Sequence, residues 1–159
     1  MHKRDIVTNQ GKEQALWQII ASFDDLRFAV LATSEEGRPY ASLIAFTFTP
    51  DHETVIFATP RGTRKYRNIR GQPRVSILVD NRSQTPEDLS RAEAVTLTGT
   101  AKPVRGGARR KEYSGIFTAK HPQLVDFINE PDTALMEVVI EEVVHVTRFQ
   151  HVSTWAKKT

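Results

Sequence analysis

A hydroxyl residue and two cations stand side by side in the segment GTRK, residues 62–65. Thr63 is followed directly by Arg64 and Lys65, and the apolar run VIFAT precedes the segment at residues 55–59. A phosphate monoester is held best by an arginine fork, a lysine ammonium and hydroxyl or backbone donors acting together. The segment supplies each of these groups, and Gly62 lets a ligand approach the backbone closely.

The same residues predict the start of a short helix over 63–69, with Thr63 near the N-cap. Cations in a first turn oppose the helix dipole, at a cost of a few tenths of a kcal/mol each. A bound anion at that helix end would reverse the penalty, because the dipole and the free N–H groups both favour negative charge. The segment is therefore either a solvated helix start or a seat for a phosphate.

The elements that would position this segment are mostly strands. Periodicity and turn residues predict helices over 10–23, 63–69, 108–119 and 121–129, and strands over 26–33, 39–49, 54–59, 74–79, 93–104, 134–140 and 142–149, with an exposed loop at 80–92. The connections are short enough for antiparallel hairpins. Closing such a sheet removes its exposed edges, so we expect a small closed or nearly closed barrel.

The second predicted strand, PYASLIAFTFT at residues 39–49, is apolar on both faces. Ile44 and Phe46 point one way, whereas Leu43 and Ala45 point the other. A strand of this kind is covered twice, by the core on one side and by a ligand or a second subunit on the other.

The composition of the 159 residues is that of an ordinary soluble protein, with 39% hydrophobic and 26% charged residues. We expect one domain over residues 1–159, because no linker or repeat is evident. The chain has no cysteine, no long apolar run and no secretory signal, so we expect a cytoplasmic location and no membrane partner. The net charge is only +3, and acidic residues are interspersed with the basic ones. We therefore expect no nucleic-acid partner.

Four segments in order, GRPYASLIAF, VIFATPRGTRKYRNI, QPRVSILV and VTLTGTA, resemble the pyridoxamine 5′-phosphate oxidase-like family of flavin-binding split barrels. The resemblance covers about residues 26 to 104. It implies a mainly β (α+β) fold, a six-stranded antiparallel split β-barrel with flanking helices. It also implies a homodimer that binds FMN at its interface and acts on a small-molecule substrate as an FMN-dependent oxidoreductase.

The resemblance implies two groups of cofactor-binding residues. The strand after Pro39 would line the flavin ring and ribityl chain, largely through its backbone, at Ser42, Leu43, Ile44 and Ala45. The strand end at Ala58 and Thr59 would reach the flavin tail, and Thr63, Arg64 and Lys65 match the family's phosphate clamp. Catalytic residues stay unassigned, and no metal site is expected.

Three departures argue against pyridoxamine phosphate oxidation itself. Thr47 stands where those oxidases have a lysine, and Ala94 stands where they have a glutamine that contacts the partner's flavin. The oxidases' C-terminal substrate motif has no counterpart in FQHVSTWAKKT. The resemblance therefore implies flavin chemistry with another substrate.

The second half contains RVSILVDNR, an acidic-proline loop, a KHP-containing helix and a final strand ending VTRFQHVSTW. In this order it resembles the haem-utilisation branch of the same superfamily. By that resemblance Trp155, together with Arg148 and Phe149, would border the flavin or haem edge, and Asn81 and Arg82 would reach the partner's flavin. F420 and haem are thus the alternatives to FMN as cofactor. A haem- or flavin-binding or storage protein without turnover is the alternative function.

The remaining polar residues have simpler interpretations. His121 is expected to be a solvated cap residue, and His145 and His151 are expected at the surface, although either is the candidate iron ligand if haem binds. The pair Glu141–Glu142 is expected in a solvated turn. A third hypothesis is a nucleic-acid-binding barrel that would use the cations Arg64, Lys65, Arg67, Arg70 and Arg74.

Overall fold

Four α-helices and seven strands form the part of the chain that the computed structural model describes, residues 9–84, 87–148 and 151–157. The helices are α1 (Asn9–Ala21), α2 (Arg64–Gly71), α3 (Ala108–Lys120) and α4 (Val125–Asn129). The strands are β1 (Phe28–Glu35), β2 (Arg38–Phe48), β3 (Thr54–Pro60), β4 (Arg74–Asp80), β5 (Glu93–Pro103), β6 (Thr133–Thr147) and β7 (His151–Ala156). No helix within the described ranges is long and apolar enough to cross a membrane.

The first six strands close into an antiparallel barrel, which confirms the predicted fold class. The sheet order is β3-β2-β1-β4-β5-β6-β7, and a further pairing of β3 with β6 joins the two sides. The long strand β6 makes this closure possible, because its first half pairs with β3 and its second half with β7.

Alternation along the strands separates the barrel interior from its outer wall. On β1, Ala29, Leu31 and Thr33 are buried while the residues between them are half-buried. Inward residues of this kind join apolar side chains of α1 in one core cluster. A second cluster fills the space between the outer wall and the helices α3 and α4, and it consists of Ile56, Val104, Tyr113, Phe117, Ile128 and Leu135.

The helix α2 crosses one end of the barrel, between the end of β3 and the start of β4. It packs on β1 and places Asn68 and Ile69 in buried positions. Since α2 begins within a few residues of the buried strand β3, the barrel fixes where the first turn of α2 lies.

The C-terminal strands differ from the sequence expectation. Two strands separated by a turn at Glu141–Glu142 were expected, but β6 runs without interruption from Thr133 to Thr147. The register between β5 and β6 shifts between Thr98 and Gly99, so Glu141 is the extra residue of a β-bulge rather than part of a turn. The predicted polar tail forms β7, which pairs with the second half of β6.

Candidate functional site

Thr63 is the N-cap of α2, as the sequence predicts. Its backbone is extended, with φ −76° and ψ 154°, and its Oγ1 accepts from the backbone N–H of Tyr66 at 3.4 Å. The Thr63 hydroxyl also donates to the carbonyl oxygen of Pro60 at 2.9 Å and lies 2.9 Å from Oγ1 of Thr59. The hydroxyl of Thr63 is thus used to shape the turn between β3 and α2.

Arg64 and Lys65 are the first two residues of α2, and neither is paired with a carboxylate among the described residues. Arg64 is exposed and Lys65 is half-buried. Their backbone N–H groups precede the first intrahelical bond, since the N–H of Arg67 is the one that bonds to the carbonyl of Thr63, at 3.2 Å. Two cationic side chains and two backbone donors therefore lie at one helix end, and the described part of the chain pairs neither cation with an acid.

Arg67, the third cation of the segment, has a different role. Its Nη1 donates to the carbonyl oxygen of Gly62 at 3.1 Å. The guanidinium therefore braces the turn that leads into α2. An anion at the helix start would meet the first two cations, not this one.

The ring of Tyr40, on β2, lies beneath the guanidinium of Arg64. The Cζ atom of Arg64 is 4.6 Å from the ring centroid, within the range of a cation–π contact. Sequence reasoning did not single out Tyr40, because the contact joins residues 24 positions apart. The quoted segment GRPYASLIAF contains it, but only the docking of α2 on the barrel reveals its place.

The β2 residues assigned to the flavin divide between the two faces of the strand. Ile44 is buried in the barrel core, so a ligand could meet only its backbone. Leu43 points outward and is 64% exposed, and Ala45 is half-buried against the second cluster. Ser42 has a buried Oγ for which the described residues provide no hydrogen-bond partner. A buried hydroxyl without a partner is costly and is suited to meeting a ligand or a water molecule.

Ala58 and Thr59, at the end of β3, also face opposite ways. Thr59 is 1% exposed and bonds to Thr63 as described, so it belongs to the framework of the turn. Ala58 packs against the second cluster beneath α3 and α4. The strand end thus leads directly to residues 63–65, and the role of Ala58 and Thr59 at a flavin tail stays a prediction.

Asn81 and Arg82 follow β4 at the end of that strand away from α2. The Asn81 side chain donates to the carbonyl of Arg91 at 3.1 Å and accepts from the N–H of Glu93 at 2.8 Å. Arg82 is paired with Asp80 at 3.0 Å. The seven residues of β4 span about 20 Å and separate Asn81 and Arg82 from the end of the barrel at which α2 lies. Within one chain these two residues are therefore far from Arg64 and Lys65.

Trp155 lies on β7 and packs edge-to-face against Trp17 of α1, with ring centroids 5.8 Å apart. Its backbone is paired with that of Val143 in the core strand β6. The ring anchors β7 to α1, and its role at a flavin or haem edge stays a prediction. Phe149, which was expected beside it, lies outside the described residues.

A polar cleft of about 720 Å³ opens where the β4–β5 connection meets the end of β6. Arg91, Arg148 and His151 line it, together with Glu93. His145 is 8% exposed, contrary to the expectation of a surface residue, and its Nε2 is 3.3 Å from Oε2 of Glu93. The two C-terminal histidines therefore differ, since His151 is exposed and His145 is held inside the wall.

Known proteins similar to this chain share its barrel. A pyridoxamine 5′-phosphate oxidase homologue of Schizosaccharomyces pombe is 25% identical over 171 residues, covering 87% of this chain and 88% of the homologue. A haem-binding protein of Mycobacterium smegmatis superposes with a TM-score of 0.77 at 20% identity, covering 95% of this chain and 60% of that protein. A FAD-binding protein of Mesorhizobium loti superposes with a TM-score of 0.65 at 17% identity, covering 82% and 91% of the two chains.

The sequence profile described as pyridoxamine 5′-phosphate oxidase matches residues 17–147, which include all six barrel strands and α2. The match extends well beyond the segments around the clamp. The chain belongs to the pyridoxamine 5′-phosphate oxidase-like family.

Proposed function

We propose that this protein is an FMN-binding flavoprotein that acts as an oxidoreductase on a small-molecule substrate. The observation that supports this most directly is the start of α2, which carries Arg64, Lys65 and two backbone N–H groups without a balancing carboxylate among the described residues. A flavin phosphate carries close to two negative charges and several acceptor oxygens, and these donors match it in charge and number. Family membership and a FAD-binding structural relative agree with this assignment.

In this proposal the chain binds and orients the cofactor. Arg64 and Lys65 neutralise the phosphate, and the backbone of Ser42 to Ala45 lies along the ribityl chain and ring. When bound, FMN supplies the hydride- or electron-transfer chemistry itself.

The functional unit in this proposal is a homodimer with FMN at the interface. Outward residues of three neighbouring strands, Phe28 on β1, Leu43 on β2 and Leu78 on β4, are 61%, 64% and 38% exposed. They are contiguous, because Val30 of β1 is paired with both Leu43 and Leu78. A second copy seated there would bury an apolar strip beside the flavin strand and would bring Asn81 and Arg82 toward the partner's cofactor.

The first test is the cofactor content of the purified protein. We expect a yellow protein that releases FMN on denaturation. The double variant Arg64→Ala, Lys65→Ala is expected to bind FMN at least about 100-fold more weakly, since each charge-assisted contact contributes roughly 1.5–3 kcal/mol. Quenching of flavin fluorescence measures the dissociation constant.

The matched control is Arg70→Ala with Lys111→Ala. It removes the same charge from exposed positions, in the last turn of α2 and in α3, away from the helix start. We expect its FMN affinity to stay within about threefold of the wild type. Unchanged FMN affinity in the Arg64, Lys65 variant would overturn the assignment of the clamp.

A second candidate is haem binding without turnover. It is favoured by the similarity to a haem-binding protein and by the cleft in which exposed His151 lies near Arg91 and Arg148. His151, rather than buried His145, would then be the iron ligand. We would titrate haemin and follow the Soret band; a shift that is lost in His151→Ala but kept in His52→Ala supports this function, and the absence of a shift in the wild type rules it out.

A further inference from the structure

Besides burying Ile69 in the core, α2 contacts the barrel through a pair of residues that lie directly opposite each other on β1 and β2. Thr33 and Tyr40 are paired Cα positions, and both point toward the barrel end that α2 crosses. The guanidinium of Arg64 lies over the ring of Tyr40, and the Nδ2 of Asn68 donates to Oγ1 of Thr33 at 3.0 Å. Arg64 and Asn68 are four positions apart, so they lie on one face of the helix. The helix is therefore held at two points of one cross-strand pair.

The contact with Tyr40 restrains the position of the Arg64 guanidinium. A cation–π contact is an electrostatic attraction between the guanidinium charge and the ring, and it takes up no hydrogen-bond acceptor of the protein. The described residues give Arg64 no ion pair that would consume those donors. The side chain held over the ring can thus offer its donors to a phosphate and lose less rotamer freedom when the ligand arrives.

The contact with Thr33 fixes the helix itself. Asn68 is 2% exposed and Thr33 is 3% exposed, so the hydrogen bond between them is shielded from water. Oδ1 of Asn68 is buried and has no partner within the described residues. A buried carboxamide with one unpaired oxygen lowers stability, because that oxygen loses its hydrogen bonds to water. An apolar side chain of similar size would not carry this desolvation cost. The presence of Asn68 is therefore better explained by its hydrogen bond to Thr33, which aligns α2 with β1.

We propose that Tyr40 and Asn68 are positioning residues of the phosphate clamp, Tyr40 by orienting the guanidinium of Arg64 and Asn68 by fixing the first turns of α2 against Thr33. The inference rests on the proposed FMN function and adds two residues to that site. Neither residue needs to touch the cofactor. Their effect is expected in the part of the affinity that comes from the phosphate.

The experiment compares the dissociation constants of FMN and riboflavin, which differ only in the phosphate. The ratio of the riboflavin constant to the FMN constant isolates the clamp, and the riboflavin constant alone shows that the fold and ring site persist. Tyr40→Leu is expected to lower the ratio by roughly 3- to 10-fold, whereas Tyr40→Phe keeps the stacking ring and is expected to retain it. Asn68→Leu is expected to lower the ratio in the same direction.

A second background separates positioning from direct contact. In Arg64→Ala, the further change Tyr40→Leu is expected to leave the ratio unchanged, because Tyr40 acts through Arg64. An equal loss in both backgrounds would mean that Tyr40 contacts the ligand directly and would overturn the inference. Suppose that the wild type prefers FMN and that Tyr40→Leu and Asn68→Leu both have the wild-type ratio of dissociation constants. This result would overturn the inference about Tyr40 and Asn68 and leave the proposed clamp standing. A wild type with equal affinity for FMN and riboflavin would overturn the proposed clamp and this inference together.

Discussion

His121 is a buried histidine that joins the end of α3 to the barrel. It is 1% exposed, its Nε2 lies 2.7 Å from the carbonyl oxygen of Phe46, and its ring centroid is 4.9 Å from that of Phe117. Because a carbonyl only accepts, Nε2 must carry a proton, and the neutral ring then leaves Nδ1 bare. Burial lowers the pKa of His121, and the cations Lys120 and Arg27 lower it further, against the bond to Phe46 that raises it.

This lowered pKa predicts acid sensitivity. The unfolded chain protonates the His121 ring near the ordinary value of 6.5, whereas the folded protein does so only at lower pH. The free energy of unfolding should therefore fall as pH drops below that value, until the folded pKa is passed. His121→Gln keeps an N–H donor for the Phe46 carbonyl but does not titrate. Urea unfolding at about pH 7.5 and about pH 5 should show a smaller loss of stability in His121→Gln than in the wild type.

A companion variant tests the hydrogen bond separately. His121→Leu leaves the Phe46 carbonyl without its donor, and we expect a loss of about 1–3 kcal/mol at neutral pH. If wild type and His121→Gln lose stability in parallel on acidification, the titration of His121 is not the cause. The sequence indicated the cap position of His121 but wrongly predicted that it is solvated, because local sequence does not show that α3 folds back onto β2.

At the scale of elements, the bulge between β5 and β6 decides how the barrel closes. Glu141 is the extra residue of β6, and Oγ1 of Thr100 donates to its Oε1 at 2.6 Å. Opposite it, Gly99 lies so close to β6 that a Cβ atom would be 2.0 Å from the carbonyl oxygen of Val139. Only glycine allows the two backbones this approach, and the bend lets β6 pair with β3 in its first half and β7 in its second.

The bulge gives a prediction with an internal control. Gly99→Ala should destabilise the protein by at least about 1–3 kcal/mol, because the backbone of β6 must move to admit the methyl group. Gly115→Ala, in the exposed middle of α3 with nothing within 4 Å of the new Cβ, should instead stabilise it by about 0.5–1 kcal/mol. Thermal unfolding of the two variants should shift in opposite directions. Equal shifts would contradict the close approach at Gly99.

Sequence patterns predicted the first five strands and α2 to within about two residues, because alternation, turn residues and the Thr63 cap are local signals. These patterns failed where the pairing of strands across the sheet determines whether a segment is a strand or a turn. The pair Glu141–Glu142 looks like a turn, but the bulge holds it inside a strand. The strand β7 is almost wholly exposed, so it shows no inward face, and only its pairing with β6 defines it.

The same limit applies to the candidate site. The clamp residues Thr63, Arg64 and Lys65 are adjacent in sequence, so their types and order suffice to propose an anion site. Tyr40 and Asn68 join that site only through the register of β1 with β2 and the docking of α2. Contacts of that kind depend on the fold as a whole and carry no signal in a local segment.

At the scale of the whole molecule, the outer wall formed by β2, β1 and β4 carries the exposed apolar strip that the proposed homodimer would cover. The clamp lies near one end of this wall, and Asn81 and Arg82 lie at the other. If the two walls pack face to face about a two-fold axis that runs across the strands, each end of one wall faces the opposite end of the other. The proposed homodimer therefore covers the apolar strip and completes each flavin site from both chains.

The last prediction tests that assembly. Leu43→Glu places a charge in the middle of the apolar strip, where it is 64% exposed in the single chain and would be desolvated in a dimer. We expect this variant to be folded but monomeric by sedimentation and to lose FMN, since half of each site would be missing. Val125→Glu, at an exposed apolar position on α4, makes the same change on another surface and should leave the dimer intact. A Leu43→Glu protein that sediments as a dimer would show that this wall is not the interface, whereas a monomer with full FMN affinity would show that one chain holds the cofactor unaided.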